Sequence, residues 1–202
     1  MSKKSKNMIS KEEAEKLMEI KGMTQGSELL NLARYVEQKE GKEGIEKLEK
    51  KLKELGYSIN FNEIKFTQWY PESLNVLAMV VAKDLFGWKD LFDFGYHSPV
   101  FSIGVKIFIK FISPSLFLAQ VPKLWKKFVD VGKLEAFFSE KEKNCVIVLL
   151  KDYKFHPEMC NYYAGYFLRI AELLIKGKNM TIREEKCIFK GDPYHQYVIR
   201  WE

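Results

Sequence analysis

Asn144-Cys145-Val146-Ile147-Val148-Leu149-Leu150-Lys151-Asp152 is the stretch on which the fold turns. Its run of β-branched and aliphatic residues, bounded by polar ends, predicts a central strand. Lys133 to Ser139 predicts a partner strand, joined to it by the charged turn Glu140-Lys141-Glu142-Lys143. On the other side, His156-Pro157 opens a helix that reaches about Ile175 and is capped by Gly177. Two further strands follow, about Met180 to Phe189 and His195 to Glu202. The C-terminal part therefore reads β-β-α-β-β, an antiparallel sheet carrying one helix.

Upstream the apolar period is helical. Ser10 with Glu13 three places on forms a capping box for a first helix. Glu28 to Glu37 makes a second, and a third runs between Gly41 and Gly56 on Ile45, Leu48, Leu52 and Leu55. Pro71 to Phe86, closed by Gly87, is apolar around most of its circumference and is expected to be buried. Trp88 to Phe94 reads as a short helix. Val100 to Ile112 reads as a helix with a polar stripe of Ser102, Lys106 and Lys110. Ser113-Pro114 starts another, interrupted at Pro122 and ending near Gly132. The expected class is α+β, an N-terminal helical bundle packed on a C-terminal antiparallel sheet. Residues 1–23 are expected as a basic tail and short helix, and 24–202 as one domain.

With 202 residues, 47% of them hydrophobic, the chain has material for one sizeable core. The most apolar run, Val100 to Trp125, is cut by Lys106, Lys110, Pro114, Pro122 and Lys123, so no membrane span is expected. The basic start lacks the apolar region of a secretory signal, which predicts a cytoplasmic protein. Three cysteines, Cys145, Cys160 and Cys187, argue against a disulfide framework. The net charge of +6 is spread through mixed Lys and Glu rather than gathered on one element, which argues against a nucleic-acid partner. There is no Gly-rich phosphate loop, Ser-centred elbow or His-Glu-x-x-His, so no enzyme is expected. Asp84, Asp90 and Asp93 read as solvated, and His97 and His156, each near a Pro, as turn or capping residues.

The chemistry lies in Cys160, Glu184, Cys187 and His195, the side-chain types that bind a tetrahedral zinc ion. Cys187 and His195 flank the turn Gly191-Asp192-Pro193, so facing strands bring them together. A closed set of four protein ligands is structural, and here it would pin the helix to the hairpin. Strand alternation puts Glu185 rather than Glu184 on the face of Cys187, and only a bulge re-aims Glu184. On spacing alone, core roles for Cys160, Cys187 and His195 weigh slightly more than metal ligation.

From Cys160 to Trp201 the chain resembles the 4-vinyl reductase domain, on Cys160 with Gly165, then Glu184, Cys187, Gly191, the ligand position at His195, Tyr197 and Ile199. The resemblance implies a zinc set of Cys160, Glu184, Cys187 and His195, with His195 in place of the usual Cys, and so selects Glu184. Over residues 24–202 the chain is similar to the superfamily shared by nitric-oxide signalling and Golgi-transport proteins. Trp69-Tyr70-Pro71-Glu72 and the segment through Gly95 look like haem-nitric-oxide-binding (H-NOX) domains. Haem proteins of that group use a helical His and a Tyr-x-Ser-x-Arg. Val100 to Gly132 holds no His, and no Tyr-x-Ser-x-Arg follows, so haem is set aside as a cofactor.

The resemblance also implies an apolar cavity, with Phe101, Phe108, Phe111, Phe117, Trp125 and Phe128 as candidate lining. These rings equally suit plain core filling. The implied function is a non-catalytic, sensor-like domain that binds a small apolar or aromatic ligand, carries structural zinc, dimerises and acts through a separate signalling partner. A dimeric assembly protein like the Golgi-transport subunits is the alternative. A tetrapyrrole vinyl reductase subunit ranks last.

Overall fold

The strand at Cys145–Lys151 (β4) is central, as its composition predicts. It pairs antiparallel with Lys133–Phe138 (β3) on one side and His195–Arg200 (β6) on the other. Thr181–Lys186 (β5) adds to β6, giving the order β3-β4-β6-β5. Val146, Val148 and Leu150 face Ile199, Tyr197 and His195 across the ladder, and all six are buried. Period-2 alternation thus concentrates the apolar side chains on one face. The long helix Glu158–Leu174, called α7 below, packs against β5 and β6.

The structure, a computed structural model, describes residues 8–101 and 112–202. Helix α1 is Lys11–Met18, with the Ser10–Glu13 capping box formed in both directions. Met23–Gln25 (β1) leads into α2, Gly26–Glu40, and α3 is Lys42–Glu54. Trp69–Pro71 (β2) pairs antiparallel with β1 and leads into α4, Glu72–Phe86. Helix α5 is Phe92–Phe101 and α6 is Pro114–Phe128. In α4 every residue from Val76 to Ala82 is buried, as expected of a helix apolar all round. Ile9, Ala14 and Leu17 join the same core, packing α1 on α4. The mixed helix and sheet class and the β-β-α-β-β order stand as read. Among the described residues no helix is long and apolar enough to cross a membrane.

Several local expectations are corrected. The short helix expected over Trp88 to Phe94 instead begins at Phe92, whose N–H is accepted by Asp90 Oδ1 at 2.9 Å. Asp90 is therefore a capping residue rather than a solvated one. The Asp84 side chain is only 5% exposed, pairs with Lys83 at 2.9 Å and accepts the N–H of Ile9. Helix α6 runs through Pro122 without a break. Its buried stripe of Phe117, Leu118, Val121 and Trp125 holds the helix together where one backbone hydrogen bond is lost. Helix α7 ends at Leu174 with an extended Ile175, so Gly177 lies beyond its cap. Strand β5 stops at Lys186, and a single helical turn, Ile188–Lys190, replaces its expected extension to Phe189. The small β1–β2 sheet went unforeseen, because three-residue strands show no alternation to read. The stripe of Ser102, Lys106 and Lys110 lies outside the described residues.

Candidate functional site

Cys160 sits in the first turn of α7, Glu184 near the end of β5, Cys187 just after it and His195 at the start of β6. Their ligand atoms all lie within 4.8 Å of one another. Between Glu184 and Lys186 the β5–β6 register shifts. That irregularity is the re-aiming device regular alternation lacked, and it turns Glu184 rather than Glu185 to the cluster. Beyond β5 the chain wraps round Cys187. The Cys187 N–H donates to Asp192 Oδ2 at 2.8 Å, and its carbonyl accepts from Lys190 and Asp192. Gly191, with φ 96°, closes this turn in the left-handed region that favours glycine.

The two sulfurs are 3.6 Å apart, and Cys160 Sγ is 3.8 Å from His195 Nδ1. Thiolates each about 2.3 Å from one tetrahedral centre lie roughly 3.8 Å apart, so the spacing suits a shared ion. His195 Nε2 is 3.1 Å from the carbonyl oxygen of Tyr153, which only accepts, so Nε2 carries the hydrogen. A neutral ring then turns the Nδ1 lone pair toward Glu184 Oε1, 3.0 Å away. Two acceptors at that distance call for a positive charge beside them, either a proton or a metal ion. A backbone carbonyl that fixes the tautomer is the usual outer support of a metal-bound histidine. Burial works against the Glu184 carboxylate, but hydrogen bonds with His195 and Cys160 outweigh it and hold its pKa below the usual range. Burial, with the charges of Glu184 and Cys187 added, pushes the Cys160 thiol up. All three cysteines are free thiols. Tyr197 donates its hydroxyl to the Cys160 carbonyl at 3.3 Å, tying α7 to β6 beside the cluster.

A second feature lies on the helical side of the sheet. A cavity of about 330 Å³ is enclosed by α6, α7, the inner face of β3, β4 and β6, and the ends of α2, α4 and α5. Of the six predicted lining rings, Phe117, Trp125 and Phe128 are on its wall. Phe108, Phe111 and the side chain of Phe101 lie outside the described residues. Sequence reasoning missed the contribution of α7, whose Met159, Tyr162, Tyr163 and Tyr166 all line the cavity. Their spacing along one helix face was available as a signal.

It also missed the polar end, made of Thr24, Glu28, Asn31, Glu72, Asn75 and Ser98. Glu72 is 1% exposed in the first turn of α4. Its Oε1 accepts the Tyr153 hydroxyl, and its Oε2 accepts Asn75 Nδ2 at 3.1 Å. Burial raises its pKa to about 7, and the charge of Glu28 adds to the rise against these bonds. Burial likewise lifts Glu28 to about 7 against its contacts with Tyr162 and Asn31. The half-buried surface of Glu28 lines the cavity. His156 caps the start of α7, its Nδ1 accepting the Glu158 N–H at 3.2 Å, while half-exposed His97 is held by the Asp93 carbonyl at 2.8 Å. His156 is the cap expected of it, whereas His97 lies inside α5 rather than at a turn or helix start.

Compared with known proteins, the sequence matches no family model and no curated relative. The fold does match solved structures. An H-NOX protein from S. oneidensis in the Fe(II)NO ligation state superposes with a TM-score of 0.65 at 13% identity, over 88% of this chain and 99% of that one. A mutant H-NOX protein from K. algicida, in the Fe(II) unliganded state, gives 0.62 at 14% identity, covering 88% and 96%. A structure from a study of heme distortion in the H-NOX family gives 0.59 at 12% identity, covering 88% and 95%. The chain therefore has an H-NOX-like fold.

These neighbours overturn the cofactor assignment made from the sequence, which named zinc and set haem aside. The error lay in equating a missing helical His with missing haem: Tyr and Met also ligate haem iron. Met159, Tyr162, Tyr163 and Tyr166 offer such atoms at the cavity wall, and Lys127 offers a cation to a ring carboxylate. These are haem-ligating residue types, but burial pushes the Tyr162, Tyr163 and Tyr166 hydroxyls up, which opposes the tyrosinate that would hold iron.

Proposed function

We propose that this chain is a non-catalytic, sensor-like binding domain whose ligand occupies the apolar cavity. The cavity itself carries the reading. At about 330 Å³ it lies within the size range of small-molecule sites, with aromatic walls and a few converging polar groups. Residues 24–202 form the proposed domain, with 1–23 an appendage. The effect passes to a separate partner protein. Phe137 and Phe138, exposed on the edge strand β3, support a homodimer built on that edge.

Haem is the second reading, favoured by the fold neighbours and by the donor set on α7. Bound haem would supply an iron centre able to take a small gaseous ligand. Tyr162, Tyr163, Tyr166 and Met159 would hold the ring, and Lys127 would balance a carboxylate. Adding hemin to purified protein separates the two readings. A Soret band that persists through gel filtration at about one haem per chain selects haem. Without it, a screen of compact aromatic molecules is expected to raise the melting temperature, because a ligand at 100 times its Kd stabilises the native state by about 2.7 kcal/mol. If neither occurs, the sensor reading fails.

We further propose that Cys160, Glu184, Cys187 and His195 hold one metal ion, its identity open. The resemblance of residues 160–201 to the 4-vinyl reductase domain and the register shift that selects Glu184 support this. Elemental analysis of tag-free protein is expected to give about one metal ion per chain. Cys187→Ser is expected to lose the ion and, with it, resistance to urea. A metal-free native protein, or full metal content in the variant, would sink the site.

A further inference from the structure

The polar end of the cavity carries two carboxyls, Glu28 and Glu72. Asn75 is 2% exposed and spends its amide N–H on Glu72, while its Oδ1 has no hydrogen-bond partner. The Glu28 carboxylate has the Tyr162 hydroxyl at 3.5 Å on Oε2, the outer limit of a hydrogen bond, and the Asn31 side chain beside it. Among the described residues, neither Glu28 nor Glu72 has a Lys, Arg or His partner. The two carboxylates repel each other in a low-dielectric site. Among the described residues this end lacks positive charge, and its unpaired polar atoms are Asn75 Oδ1, which accepts, and the Ser98 hydroxyl, which can donate or accept. An unmet buried acceptor is costly, so an occupant that satisfies it gains on that account.

An ammonium supplies three donors, one positive charge and no acceptor. A hydroxyl supplies one donor and no charge, and a carboxylate adds further negative charge to a site that already carries two carboxyls. The remaining wall, with Phe117, Val121, Trp125 and Ile170, is apolar and asks for a hydrocarbon body.

We propose that the cavity binds a primary amine carried on an aromatic or aliphatic body, with its ammonium set among Glu28, Glu72 and Asn75. This deepens the small-molecule reading above and rests on it. Burial holds both carboxyls near neutrality in the absence of such a cation, which agrees with the placement.

The test uses the full chain and three probes of one shape, naphthylmethylamine, naphthylmethanol and naphthoate, in calorimetric titrations at neutral pH. The amine is expected to bind at least about tenfold more tightly than the alcohol, and naphthoate not measurably. Glu28→Gln keeps the shape of the side chain and is expected to drop the amine to the affinity of the alcohol. Glu72→Gln removes the other charge and is expected to do the same. Alcohol or naphthoate binding as tightly as the amine overturns the head-group assignment and leaves the cavity reading standing. So does an amine preference unchanged in both variants. If none of the three binds, the cavity reading falls as well.

Discussion

Gly95→Ala is expected to lower the unfolding free energy by about 4 kcal/mol or more, the range reserved for forced overpacking at a buried contact. Gly95 on α5 faces Gly165 on α7, and the two helices cross there with backbone against backbone. A Cβ on Gly95 would lie 1.9 Å from the Tyr162 carbonyl oxygen, and one on Gly165 would lie 2.1 Å from that of Phe92. Real Cβ atoms essentially never come within 3.0 Å, and a carbonyl oxygen does not swing aside as a side-chain tip does. The helices must therefore separate by about 1 Å, in an interior packed as densely as a crystal. The damage should reach both proposed sites, because α7 carries Cys160 into the cluster with Glu184, Cys187 and His195, and Tyr162 and Tyr163 into the cavity wall. Gly165→Ala is expected to cost a similar amount, and the double variant less than the sum, since both open one crossing. Urea melts of the three variants check this. A loss under about 1 kcal/mol for both single variants would show that the crossing is not the constraint the geometry makes it.

That crossing also marks where sequence reading stops. The order of helices and strands was legible because period in the chain reports which face is buried. Val146 to Leu150 could hardly be anything but a central strand, and Val76 to Ala82 had to be a buried helix. Boundaries were less legible because they depend on single side chains acting as caps. Asp90 starting α5 is such a case: one hydrogen bond moved an element by four residues. Pro122 shows the converse. A local rule against proline was overruled by the apolar stripe of α6, a tertiary term that no window of sequence contains.

The same division runs through the two sites. Three ligand candidates of the cluster were legible by type and spacing. The carboxylate was not, since strand alternation is right only where the strand is regular, and a register shift between Glu184 and Lys186 breaks it. The polar end of the cavity was invisible for a different reason. Glu72 reads as an ordinary acidic residue in the first turn of a helix, where it favours the helix dipole. What covers it is Tyr153, 81 residues away, together with β1, which packs on α4. Asp84 was misjudged in the same manner, its partners coming from residue 9 and from Lys83 inside the core. The haem question failed differently again. A motif was sought in place of donor types, and the Met and Tyr side chains that α7 presents at the cavity wall lay outside the segment searched.

Glu72 supplies the other large effect. The groups facing its carboxyl are Tyr153, Asn75 and Thr24, which hydrogen-bond it, and Glu28, Tyr162 and Tyr163, which interact with it through charge. With a pKa of about 7 in the folded chain against 4.5 for the free group, the native state binds more protons than the unfolded chain between those values. Stability then falls as pH rises, because the slope follows the difference in bound protons. The contribution is fully present below about pH 4.5 and is lost as pH climbs through about 7, for a total of roughly 3 kcal/mol at 1.36 kcal/mol per pKa unit. Glu72→Gln keeps the acceptor for Tyr153 and cannot ionise. Its stability is expected to be flatter between about pH 5 and about pH 8, with the gap to the native chain closing or reversing in sign as pH rises. Urea denaturation of both proteins across that range measures it. Parallel curves would mean that Glu72 titrates as an exposed carboxylate, and the polar end of the cavity would then be open to water rather than waiting for a cation.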